Sequence, residues 1–452
     1  MKTIKILLLL LAVTSLGSCK KYLDAKPDQA LATPSTLQDL QELLDYYGLN
    51  TQFPNGTEIL ADNYYLTFPN WSSIFRVNQR DYYIWKPNSN NDLEWNQPYT
   101  NIYTCNLVLE TLKKISYAES DQPVADHIQG TALFLRGSYF YSLAQLFAKA
   151  YDKTTATTDP GIPLRLSTDV TQKSTRASLE ETYRQIIKDF KQAVSLVPVN
   201  VSIKTKPSKA AAYGALARTY LAMQDYSNAA LYADSCLDLY NTLIDYNSLN
   251  STAPIPFSRF NDEVIFHATA YAVQPLAPKI CKIDSNLYNS YDTNDLRKVI
   301  FFKSNGNGTY GFKGDYDGSS NNGNGHSFTG IVTDEQYLIL AECDARLGKT
   351  SDALHYLNAL LEKRWRSGEF IAVTVTDHTA LLTLILKERR KELLFRALRL
   401  TDLKRLNKDL NYQVTVYRNL NGTVYILPPN DNRYVALIPK TVIGISGMQQ
   451  NP

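Results

Sequence analysis

From His378 to Leu406 the chain reads HTALLTLILKERRKELLFRALRLTDLKRL, with no proline or glycine from end to end. Leu382, Ile385, Leu386, Leu393, Leu394, Ala397 and Leu398 recur at three- and four-residue steps, which places them on one face of a helix. The pattern predicts one continuous helix over 378–406, and the other elements have to pack around it. Its middle, Glu388 to Glu392, is all charge, and composition alone makes such a run a solvated face. Glu392 and Arg396 have the favourable i,i+4 spacing, a pair contributing about 0.2–0.5 kcal/mol if exposed.

The N-terminus carries a different signal. Lys2 and Lys5 precede an apolar run, Ile6 to Val13, that is too short to span a bilayer and has signal-peptide character. Leu16-Gly17-Ser18-Cys19 then matches a bacterial lipobox. Residues 1–18 are therefore read as a lipoprotein signal peptide and Cys19 as the lipidation site. Residues 19–30 are read as an extended tether, and 31–452 as a single helical unit. The remaining cysteines, Cys105, Cys236, Cys281 and Cys343, form no CxxC pair. Export permits disulfides without requiring them, and no pairing follows from the spacing. Cys236 and Cys343 fall in helical patterns and read as small core residues.

Further helices are expected at Thr36–Tyr47, Tyr99–Ile115, Gln129–Lys149 and Leu179–Leu196. Lys206–Tyr240 has tetratricopeptide spacing, with Ala217, Tyr220, Asp225-Tyr226, Ala229 and Cys236 at its small and aromatic positions. Tyr337–Glu362 repeats the pattern with Ala341, Leu347-Gly348, Ala353 and Leu360. A non-helical block, about 245–332, separates the two units, so they are not tandem. Short strands are expected there at Glu263–Ala268 and Lys298–Lys303, with a low-complexity loop at Ser304–Ser327. The tail from Tyr412 carries two alternating runs split by Pro428-Pro429.

Chemistry-bearing motifs are few. Gly306 to Gly311 spells GxGxxG, but nothing after it can open a helix, so it is no dinucleotide fingerprint. Asp315, Asp317, Asn321 and Asn322 offer oxygen ligands of calcium type without the closing Glu of an EF-hand. The five histidines are scattered, and no nucleophile motif is present. No metal, cofactor or catalytic residue is proposed, and the chain is not read as an enzyme. A formal charge of +3, unclustered, gives nucleic acid no support as a partner. Tyrosines are abundant, 31 against 16 phenylalanines, and their apolar face and polar tip suit half-wet binding surfaces. Two irregular aromatic-rich blocks, 50–100 and 285–325, have the rings and amides that sugar recognition needs. Within them Trp95 and Tyr99 read as core.

The string ERRKELLFRALRLTDLKR resembles the pattern E-R-R-x-E-L-x-F-E-G-x-R-W-x-D-L-x-R of the RagB/SusD family. Arg396 and Ala397 stand where that family has Glu-Gly, and Leu400 replaces its aromatic. Cys19-Lys20-Lys21-Tyr22-Leu23-Asp24, Gly161-Ile162-Pro163-Leu164 between two helices, and the closing Gln450-Asn451-Pro452 extend the resemblance over essentially the whole chain. It implies a mostly α fold of tetratricopeptide-like helix pairs with a loop-rich insertion carrying short strands. Glu388, Arg389, Arg390, Glu392, Arg399 and Asp402 would be scaffold.

By the same resemblance the protein is a lipid-anchored, surface-exposed outer-membrane lipoprotein. It would capture a nutrient, in the first place an oligosaccharide, as the lid of a SusC-like TonB-dependent barrel. The two blocks would supply the ligand site, with Tyr65, Trp71 and Trp85 chosen from the first and Tyr310 and Tyr316 from the second. A peptide ligand, a partner-binding scaffold without small ligand and a surface glycosidase are the alternatives.

Overall fold

The computed structural model describes residues 34–87, 89, 92–319 and 324–452. The signal peptide, Cys19 and the tether lie outside the described residues, as do Asn321 and Asn322. Ten helices make the framework: α1 (Leu37–Leu44), α2 (Asp92–Leu112), α3 (Gln122–Phe147), α4 (Leu179–Leu196), α5 (Lys209–Ala222), α6 (Tyr226–Leu239), α7 (Thr333–Arg346), α8 (Thr350–Glu362), α9 (His378–Glu392) and α10 (Arg399–Leu406). The fold is mostly α, as expected. Local chemistry accounts for several of the starts. The Ser178 hydroxyl accepts the Glu181 N–H and the Glu181 carboxylate accepts the Ser178 N–H, a capping box that opens α4. Thr36 and Asp39 do the same for α1. Pro123 sits in the first turn of α3, where its missing N–H costs nothing.

Helices α2 to α8 stack in chain order, each against the next. The order holds across the long insertion, for α6 packs directly on α7. The two repeat units, far apart in sequence, are thus neighbours in space. Ala217, Ala229, Cys236, Ala341 and Ala353 are all fully buried, and their small side chains let the helices approach closely. The turns inside the two units each use a left-handed residue, Gln224 (φ 60) and Gly348 (φ 78), and only the glycine takes that conformation without steric cost.

The stretch 378–406 is not one helix. It breaks between α9 and α10, where Phe395 (φ 55) and Ala397 (φ 58) are left-handed. Tertiary partners pull the intervening residues out of helical register. Phe395 stacks on Phe312 at 4.7 Å, Arg396 reaches Asp334 at 3.1 Å, and the Ala397 N–H donates to Glu58 Oε2 at 3.1 Å. The Glu392–Arg396 pair consequently does not form. Nor is the charged turn solvated: Glu388, Arg389, Lys391 and Glu392 are buried.

Four two-stranded antiparallel ladders stand among the described residues: β1 (Tyr64–Tyr65) with β3 (Lys282–Ile283), β2 (Val264–Phe266) with β6 (Ile331–Val332), β4 (Phe302–Ser304) with β5 (Tyr310–Phe312), and β7 (Val416–Leu420) with β8 (Thr423–Leu427). The expected strand at 263–268 is therefore present in its centre. The one at 298–303 is not: Arg297–Ile300 is a helical turn, and only Phe302 and Lys303 extend into β4. In the tail both pairing strands precede Pro428-Pro429, and a short helix, Lys440–Ser446, follows. All four cysteines of the described chain are free and buried. Among the described residues no helix is long and apolar enough to cross a membrane.

Candidate ligand surface

The insertion is held to the helical stack by buried ion pairs. Arg297, fully buried, binds Asp295 (2.7 Å), Glu388 (2.5 Å) and Glu392 (2.9 Å). Arg364, equally buried, binds the other oxygen of Glu392 and Glu263, both at 2.7 Å, and donates to the Ile244 carbonyl. Lys391 closes the cluster on Asp295 and Glu388. Burial alone would raise the Asp295 carboxyl, but Arg297 and Lys391 hold it down at about 2. On the next turns Arg389 binds Asp402, and Arg390 and Arg399 converge on Asp62 of the first aromatic block. The six residues expected to be scaffold are all engaged inside this network, which ties α9 and α10 to both loop blocks.

That network settles two of the five chosen ligand residues. Tyr316 has no exposed surface: its hydroxyl donates to Glu263, meets the Tyr246 hydroxyl at 2.8 Å, and Arg396 lies 3.7 Å over its ring. Trp85 is 2% exposed, donates its indole N–H to the Leu60 carbonyl at 3.0 Å, and has Arg418 of β7 4.3 Å over its ring. Its edge reaches the floor of a cleft of about 330 Å³, but it offers no ring face to a ligand. Both residues are scaffold, a correction to the sequence reading. Asp317 likewise faces His267 at 3.2 Å and is largely buried, so the calcium-type run does not present it to solvent.

The other three sit on segments that backbone ladders and side-chain bonds join. The β1–β3 ladder sets Tyr65 opposite Lys282, and β3 packs against β5, which carries Tyr310. Tyr310 stacks on Tyr288 with ring centroids 3.6 Å apart. Burial and the neighbouring Tyr310 hydroxyl push the Tyr288 phenol up to about 12, so it stays a neutral donor. Trp71, half-buried, leans on Phe68 at 6.0 Å and donates its indole N–H to the Arg80 carbonyl. Its helical turn is fixed to the insertion by Asn70, whose amide donates to the Ile280 carbonyl at 2.8 Å. Gln274 does the same by accepting the Phe75 N–H. The two blocks therefore form one open surface. Phe68 (42% exposed), Phe75 (90% exposed) and Tyr288 belong to it and were not chosen from sequence. Phe68 and Phe75 flank Trp71 in the same aromatic run, which was the available signal; the placement of Tyr288 depends on β5 and left none.

Two cavities elsewhere help to delimit the surface. One of about 60 Å³ lies between α3, α5 and the α9–α10 break, lined by Tyr141, Gln145, Arg218 and Arg396. A cleft of about 240 Å³ is lined by Tyr103, Asn106 and Arg165 over the core residues Trp95 and Tyr99.

The fold is that of a helical-repeat protein with a loop block spliced into one seam. Residues 21–221 match a family described as starch-binding and associating with the outer membrane, and residues 258–440 match the SusD family. The chain belongs to the SusD/RagB family. Among solved structures, it is similar to a putative sugar binding protein from Bacteroides vulgatus (TM-score 0.76, 22% identity, 93% of this chain and 99% of that one). A SusD superfamily protein from Bacteroides thetaiotaomicron matches at TM-score 0.75 and 22% identity over 92% and 100% of the two chains. A SusD-like carbohydrate binding protein from Bacteroides vulgatus matches at 0.69 and 21% over 91% and 97%. No curated protein matches the chain.

Proposed function

We propose that this protein is an outer-membrane lipoprotein, anchored through Cys19 at the cell surface, that captures an oligosaccharide and passes it to a TonB-dependent barrel as its lid. The observation that carries the reading is the joining of the two aromatic blocks by the β1–β3 ladder, the Asn70 bond and the Tyr288–Tyr310 stack. Rings of this kind stack on the C–H faces of sugars, while half-exposed amides and hydroxyls pair with sugar hydroxyls. The role is capture without chemistry. Glu263, Glu388 and Glu392 are held by guanidinium partners in the interior. The sugar-binding names of two structural relatives agree with this reading.

Calorimetric titration of the soluble chain from Lys20 against a panel of oligosaccharides and short peptides tests it. Saturable binding to a glycan, lost in Trp71→Ala and Tyr310→Ala, is expected. Binding to peptides alone would replace the nutrient, and binding untouched by both variants would move the site elsewhere. Isolation from gently solubilised membranes without a barrel partner would overturn the lid role.

A further inference from the structure

The joined surface is rimmed by cations that have no carboxylate partner. Trp71 has the Arg80 guanidinium 5.6 Å over its ring. Lys282 sits opposite Tyr65 in the ladder, and its ammonium donates to the Lys279 carbonyl at 3.3 Å, which places the two lysines together beside the Asn70 anchor. Lys298 lies 5.3 Å over the Tyr288 ring, on the stack with Tyr310. Lys303, exposed on β4, pairs with Gly311 and so projects from the other side of the ladder than Tyr310, outside this rim. Among the described residues none of Arg80, Lys279, Lys282 and Lys298 forms an ion pair.

Apart from Asp292, which is exposed, the acids nearby are committed. Asp81 is taken by Lys86, and Asp62 by Arg390 and Arg399. Asp284 accepts the Leu287 N–H and faces Arg390. Asp295 is buried with Arg297, and Asp292 accepts the Asn294 N–H. The balance matters chemically. A sugar hydroxyl both donates and accepts, so a site for neutral sugars needs acceptors as well as donors, and carboxylates usually supply them. Lys and Arg only donate. The charged groups of this rim are mainly cationic donors, which match a ligand group that only accepts and carries the opposite charge.

We propose that the ligand of this surface is an acidic glycan, one bearing uronate carboxylates or sulfate esters, its rings laid on Trp71 and Tyr310 and its anionic groups met by Arg80, Lys279 and Lys282. The proposal rests on the capture reading above and narrows its ligand.

The test uses the chain from Lys20 and two pairs of polymers that share a backbone and differ in charge: polygalacturonate against its fully methyl-esterified form, and chondroitin sulfate against desulfated, carboxyl-reduced chondroitin. Poly-glutamate serves as a charged chain without sugar rings. At least one acidic glycan is expected to bind about tenfold or more tighter than its masked partner, and to weaken as salt rises from 0.05 to about 0.5 M. Whether polygalacturonate or the sulfated chain binds tells carboxylate from sulfate. Lys279→Gln with Lys282→Gln, both outside the core, is expected to lower that affinity about tenfold, as is Tyr310→Ala, whereas Lys188→Gln on the distant α4 is not.

Equal binding of charged and masked glycans would overturn the acidic ligand and leave capture standing. Equal binding of poly-glutamate, or indifference to Tyr310→Ala, would reduce the effect to surface adsorption and overturn the proposal. Binding to no glycan at all would overturn both readings.

Discussion

Ala397 occupies a left-handed conformation that the family pattern gives to glycine. Its φ is 58, its N–H is held by Glu58 Oε2, and its neighbours Arg396 and Leu398 are buried, so the backbone cannot relax away from it. For an L-residue that conformation costs about 1–2 kcal/mol. Glycine removes the cost but brings back about 0.5–1 kcal/mol of backbone entropy in the unfolded chain. Ala397→Gly is therefore expected to stabilise the fold by roughly 0.5–1 kcal/mol. Ala359, half-buried within α8, is the internal control, for there the same change loses about 1 kcal/mol of helix propensity. Ala397→Val, β-branched in a left-handed position, should lose about 1–3 kcal/mol. Urea midpoints with unchanged slope measure all three. Ala397→Gly falling alongside Ala359→Gly would show that the α9–α10 break is not strained at Ala397.

Glu392→Ala leaves Arg297 and Arg364 facing one another in the interior without their shared carboxylate, and a loss of about 3–5 kcal/mol is expected in urea unfolding; a loss below about 1 kcal/mol would mean the network is not closed as described. Burial pushes the Glu58 and Glu94 carboxyls up to about 7, from an ordinary value near 4.5. The native state then binds protons the unfolded chain has released, so this stabilisation is complete below about pH 4.5 and is lost as pH rises through about 7, roughly 3 kcal/mol for each group. Glu94→Gln should flatten the decline in unfolding free energy between pH 5 and 7.5; an unchanged slope would remove Glu94 from that account. Cys19→Ala should shift the protein from the membrane to the soluble fraction, and unaltered membrane retention would refute lipid anchoring.

Much of the helical stack is legible in the chain because its signals are local. The Ser178–Glu181 box marks the start of α4 by itself, and the alanines of the two repeat units report their own burial. The α9–α10 break is invisible because Leu393, Leu394 and Leu398 continue the helical period, and the groups that break it, Phe312, Asp334 and Glu58, are distant in sequence. Trp85 looked like a ligand ring for the same reason: the guanidinium that covers it arrives on β7. One missed feature was written locally. Asn421 and Gly422, both with positive φ, form the two-residue turn of the β7–β8 hairpin, and an Asn-Gly between alternating runs is the ordinary signal for it. In the candidate surface, the aromatic regions are legible in the chain, but which rings face solvent is not. Which aromatic faces solvent is decided by ladders and ion pairs between the two blocks.

The ion pairs that clamp the insertion also set an order of events during synthesis. Arg297 leaves the ribosome 91 residues before Glu388 and 95 before Glu392. At about 5–20 residues per second, that is a wait of roughly 5–20 s. Helices α2 to α6 can stack as they emerge, each on the one before it, but a guanidinium without its carboxylates cannot be buried cheaply. The insertion must stay open until α9 exists. The join between the two aromatic blocks thus closes after the stack of α2 to α6, and a chain cut short before residue 388 lacks the carboxylates that hold Arg297.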